Sequence, residues 1–230
     1  MKFTEYAMEK LLDLYNNHDH EVGIELKRSN PEKYKDYTTT DCITYALNVL
    51  SYAFEKSNNQ VAAKHVWSLG EKGTELAKYL VRQHGWKGVY VNPDENHPLD
   101  ESNEHPYTSH IAITECQYYN IPVHFAVQNY SPTHPLFPGF QKVKKHAPKT
   151  KVNNIDIKSL SRVKFGVGIS RGGKHVWLFS KGKVYEVHWD TIGKDLYEAT
   201  NLKDYHWLSS IIVIPHDQGI YLSATSKVKC

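Results

Sequence analysis

Residues 172–190 read Gly172-Gly173-Lys174-His175-Val176-Trp177-Leu178-Phe179-Ser180-Lys181-Gly182-Lys183-Val184-Tyr185-Glu186-Val187-His188-Trp189-Asp190. β-Branched and aromatic residues flank Lys181-Gly182 on both sides, which predicts two strands joined by a two-residue turn. In that register Ser180 faces Lys183, Phe179 faces Val184, Trp177 faces Glu186 and His175 faces His188. Directly opposed residues share a sheet face, with Cβ atoms about 5 Å apart. The expectation is therefore that His175, Glu186 and His188 crowd one face, while Val176, Leu178, Tyr185, Val187 and Trp189 line the other. A histidine at a strand start, beside a polar group that fixes its tautomer, is the base and orienting half of a nucleophilic triad. Taken alone, the same pattern also describes a histidine on an exposed hairpin.

Outward from the hairpin, the last third of the chain is β-rich. Residues 163–169 and 210–214 are further β-branched runs bounded by turn residues. The first half reads helical. Phe3, Ala7, Leu11, Leu12 and Tyr15 form one stripe over 3–16. Ile43, Ala46, Leu47, Leu50, Ala53 and Phe54 form another over 41–56. A third helix is expected over 60–84, with Gly70 and Gly73 as weak points and Gly85 as its end. Residues 89–91 read as a short strand, 92–106 as a polar loop, 107–119 as ambiguous and 123–127 as a strand. Helices followed by neighbouring strands indicate an α+β domain with an antiparallel sheet. At 230 residues and without a linker, the chain reads as one domain, 1–230.

The nucleophile candidate opens the second helix. Asp41 is a natural N-cap, which places Cys42 in the first turn. There, unpaired backbone N–H groups and the helix dipole favour a negative sulfur. The alternative reading is a small buried residue, which is what free cysteines commonly are.

Asp-Cys at the start of an amphipathic helix, then a glycine-flanked His-Val-aromatic strand, a short turn and a strand ending in a second histidine resembles the NlpC-type papain-like cysteine peptidases and amidases, of the CHAP-like superfamily, that cut cell-wall peptides. The resemblance implies a papain-like fold, with N-terminal helices packed on the C-terminal sheet. It implies Cys42 as nucleophile, His175 as general base and His188 as third member, with Glu186 as the alternative and Asp190 more distant. The Cys42 backbone N–H would be one oxyanion donor, and Asp41 and Tyr37 (or Tyr34) would serve the oxyanion or the substrate. No cofactor is implied. Compact members of that family hold cysteine and histidine much closer in sequence, so 57–162 would be a large insertion between them.

The resemblance further implies a peptidoglycan stem-peptide or cross-link bond as substrate. Residues 1–15 mix charges into an amphipathic pattern, unlike a signal peptide. By analogy the chain then looks like an antibacterial effector made in the cytoplasm and carried by a type VI secretion system to a target periplasm, with a secretion-apparatus carrier and an immunity protein as partners. A deamidase or transglutaminase toxin acting on host proteins is the alternative, and a non-enzymatic interaction module is the second.

Composition narrows the field. Lys and Arg number 28 against 25 Asp and Glu, a net charge of +3, too small a bias to imply nucleic acid. The basic run at 142–151 lacks the interleaved aromatics that stack bases. No apolar run reaches the roughly 18 residues of a membrane helix. Three cysteines, Cys42, Cys116 and Cys230, do not make a disulfide framework. Fourteen histidines invite a metal, but His18 and His20 are two apart, and His97, His105 and His110 lack an HExxH or cysteine pattern. No metal is expected; His175 and His188 are the one pair that could pinch one. Trp67, Trp86, Trp177, Trp189 and Trp207 read as packing residues, with Trp86 a candidate for exposure beside its glycines.

Overall fold

Asp41 stands in extended backbone, and its carboxylate accepts the Thr44 N–H at 2.6 Å, a cap that contributes about 1 kcal/mol. This starts the central helix and sets Cys42 at its first position. The computed structural model describes residues 2–91, 160–170, 173–202, 204–205 and 210–218. The readings of 92–106, 107–119, 123–127 and 142–151, and those of His97, His105, His110, Cys116, Trp207 and Cys230, lie outside these residues.

In chain order the first half holds α1 (Phe3–Asn16), β1 (Glu21–Gly23), α2 (Ile24–Ser29), β2 (Thr38–Thr40), α3 (Cys42–Lys56), α4 (Gln60–Ser68), α5 (Gly73–His84) and β3 (Lys87–Val91). The second holds β4 (Gly166–Ser170), β5 (His175–Ser180), β6 (Lys183–Val187), β7 (Tyr197–Asn201) and β8 (Ser210–Ile214). Strands β3-β8-β4-β5-β6-β7 form one sheet, antiparallel at every pairing. Strands β1 and β2 pair in parallel as a separate ribbon. The α+β class, with helices first and an antiparallel sheet after them, is as expected.

The helical layer and one face of the sheet share a core. Ala7 and Leu11 of α1 meet the buried stripe of α3, and Val167, Ile169, Val176, Leu178, Tyr185, Val187, Ile211 and Val213 close it from the sheet. Alternation along the strands accounts for that set, since residues two apart share a face. Residues 60–86 belong to this same core through Ala62, Ala63, Val66, Leu76, Ala77, Leu80 and Trp86.

The opposite sheet face is also buried, and two glycines explain its shape. Gly168 pairs with Trp177 and Gly166 with Phe179. A Cβ at Gly168 would lie 2.1 Å from the Trp177 ring, and one at Gly166 would lie 2.2 Å from the Phe179 ring. Both rings therefore lie across β4 where only glycine leaves room, and both are fully buried. The hairpin turn is as expected: Lys181 and Gly182 have φ of 47° and 81°, the pair of positive values that a type I′ turn needs.

Three expectations are corrected. The helix over 60–84 is two helices, because Gly70 turns left-handed at φ 56° and the chain restarts at Gly73. Trp86 is 4% exposed, held edge-on against Phe3 and Phe165. Trp189 and Trp67 are instead at the surface, 61% and 44% exposed. Strands β1, β2 and β7 were not expected; β1 and β2 are three residues long, and β7 is a mostly polar edge strand.

Candidate active site

The helix start and the start of β5 meet. Cys42 Sγ lies 3.9 Å from the carbonyl oxygen of Lys174, the residue before His175, and the sulfur is near enough to the His175 ring to raise its pKa. His175 Nε2 is 2.7 Å from Glu186 Oε1. With Nε2 engaged by the carboxylate, Nδ1 is the ring nitrogen left for the sulfur. Cys42, His175 and Glu186 thus stand in series: thiol, imidazole, carboxylate.

Local packing holds this line. Gly173 adopts φ 96° just before Lys174, and a Cβ there would lie 2.5 Å from Thr74 Cγ2. Across the contact, a Cβ on Gly73 would lie 2.4 Å from the Gly173 carbonyl oxygen. The first turn of α5 is therefore pressed against the residues leading into His175. On the β6 side, Tyr205 donates its hydroxyl to Glu186 Oε1 at 2.7 Å, and its ring lies 5.0 Å from that of Trp177.

Electrostatics follow from the geometry. Burial works against a charged imidazole at His175, but the hydrogen bonds to Cys42 and Glu186 and the charges they carry outweigh it, raising its pKa to about 9. Burial likewise pushes the Glu186 carboxyl up, and the hydrogen bonds from His175 and Tyr205, with the charge of His175 and then of His188, bring it below its usual value. Both groups are mostly shielded, with side chains 18% and 15% exposed. The stability that His175 contributes is full below its ordinary pKa of 6.5 and is lost as pH rises through about 9. The Glu186 contribution is present above 4.5 and is lost as pH falls through its lowered folded value.

His188 does not make the contact expected of it. Strand β6 ends at Val187, and the His188 N–H then donates to the Leu196 carbonyl. The ring turns toward β7, with Nε2 2.7 Å from Glu198 Oε2 in an exposed pair. The carboxylate two residues earlier, Glu186, takes the place beside His175. Among the described residues no group of three His, Cys, Asp or Glu side chains is placed to hold a metal.

Asp41 acts as the cap of α3. Tyr37 packs its ring against His20 and Tyr34, and its carbonyl accepts from the Lys27 ammonium. Neither residue is placed against the sulfur by these contacts. The Cys42 N–H belongs to the first helical turn, whose N–H groups have no acceptor within the helix. Tyr205 has no counterpart in the sequence pattern: it lies between β7 and β8, 19 residues beyond Glu186.

No family model, curated protein or solved structure matches the chain. Among the described residues, no helix is long and apolar enough to cross a membrane.

Proposed function

We propose that the chain is a papain-like cysteine hydrolase that cleaves an amide bond, with Cys42 as nucleophile, His175 as acid and base, and Glu186 as the group that orients His175. One observation carries this reading: a cysteine at a helix N-terminus stands near enough to His175 to raise its pKa, and Nε2 of that histidine lies 2.7 Å from a part-buried carboxylate.

The chemistry balances as two half-reactions. The thiol proton passes to His175, and the thiolate attacks the carbonyl carbon. The oxygen that becomes negative is met by the Cys42 N–H and the positive end of α3. The imidazolium gives its proton to the departing amine, the C–N bond breaks, and a thioester remains. Neutral His175 then takes a proton from water, the hydroxide attacks the thioester, and the acid product leaves with the thiol restored. Glu186 stays ionised throughout and stabilises the imidazolium, as its lowered pKa allows.

A rate that depends on imidazolium is expected to fall as pH rises through about 9, with acid inactivation displaced below 4.5. A pH–rate profile checks this, and an alkaline limb near 6.5 would contradict it.

The substrate class we propose is a stem-peptide or cross-link bond of peptidoglycan, supported by the resemblance of the sequence around Cys42 and His175 to cell-wall amidases. In that role the chain is an antibacterial effector delivered to a target-cell periplasm. Purified peptidoglycan incubated with the protein should yield fragments whose masses report a cut peptide bond, and Cys42→Ala should yield none. Intact peptidoglycan together with ammonia released from protein glutamine would instead establish a deamidase or transglutaminase.

A further inference from the structure

Glu186 Oε1 receives two hydrogen bonds, one from His175 Nε2 and one from the Tyr205 hydroxyl, both at 2.7 Å. A carboxylate held by a single donor can rotate about its terminal torsion, which is broad. A second donor on the same oxygen fixes that rotation. Tyr205 is itself fixed, because its ring packs on Trp177, and Trp177 is locked over Gly168. The chain of constraint runs from β4 through an indole and a phenol to the carboxylate that meets His175.

We infer that Tyr205 is a positioning residue of the site: it holds the Glu186 carboxylate in the orientation that His175 requires and thereby sustains the His175 imidazolium. This rests on the cysteine-hydrolase reading for its use, but not for its test. The Tyr205 hydroxyl reaches His175 through Glu186, so removing it should move His175 only while a carboxylate is present to be held.

The experiment is an NMR titration of His175 in histidine-labelled full-length protein, with the resonance assigned by its loss in His175→Ala. Tyr205→Phe deletes one oxygen and keeps the ring on Trp177, so the comparison isolates one hydrogen bond. The His175 midpoint should fall by about half a pH unit or more in Tyr205→Phe, because a carboxylate free to turn away stabilises the imidazolium less. In a Glu186→Gln background the same substitution should move the midpoint by less than about 0.2 unit, because coupling within one network is non-additive. An unchanged midpoint in Tyr205→Phe overturns the inference, as does an equal shift in both backgrounds. The titration uses no substrate, so failure here is distinct from failure of the hydrolase reading, which the Cys42→Ala digest decides.

Discussion

Cys42→Ala is expected to abolish peptidoglycan cleavage, a loss of about four orders of magnitude or more, with thermal unfolding close to that of the parent chain. In the proposed reaction the sulfur is the atom that forms the new bond. Cys42 is only partly buried, so its removal leaves no large cavity, and the Asp41–Thr44 cap that starts the helix does not involve it. His175→Ala should match this loss, because members of one catalytic unit fail together. It should also slow alkylation of Cys42 by iodoacetamide near neutral pH, since the partner that takes the thiol proton is gone. Full cleavage by either variant would end the catalytic account.

Glu186→Gln is the second large effect. The amide keeps the shape of the carboxylate but carries no charge to stabilise the imidazolium, and it can present N–H where His175 needs an acceptor. Loss of a comparable orienting carboxylate costs about 10²–10⁴ in kcat. The alkaline limb should move from about 9 toward the ordinary 6.5, the direction set by removing one of the two partners that raise His175. His188→Gln is the contrast: it breaks an exposed pair with Glu198, and exposed pairs contribute about 0–1 kcal/mol. Its rate should stay within about threefold of the parent. The reverse pattern, with His188→Gln severe and Glu186→Gln mild, would return the third position to His188. Kinetics of the two variants side by side decide between them.

Each part of the fold is legible in the sequence to the degree that its determinants are local. The α3 stripe recurs every three or four residues over four turns, and its cap precedes it directly, so its limits could be expected to within a residue. The β5–β6 turn was legible because Lys181-Gly182 supplies the positive φ angles that a tight hairpin needs. The break between α4 and α5 hinges on one left-handed glycine, Gly70, within a pattern that keeps its apolar period on both sides. Strand β7 carries little sequence signal, because Glu198, Thr200 and Asn201 give an edge strand little apolar signature.

The site divides the same way. Cys42 and His175 are marked by their own neighbours, a cap and a strand start. Choosing between Glu186 and His188 required knowing where β6 stops pairing. Facing logic holds only while the ladder continues, and the β5–β6 ladder ends at Leu178 and Tyr185, before the expected Trp177–Glu186 and His175–His188 pairs. Tyr205 depends on a connection between β7 and β8 that carries no periodic signal, so only the folded chain brings its hydroxyl to Glu186.

The central claim is that Cys42 and His175 act as one nucleophilic unit, and competitive alkylation tests it most directly. Limiting iodoacetamide near pH 7, with peptide mass spectrometry of all three cysteines, should find Cys42 modified well ahead of Cys116 and Cys230. In His175→Ala that lead should disappear. Equal labelling of the three cysteines in the parent chain, or an undiminished lead for Cys42 without His175, would contradict the account.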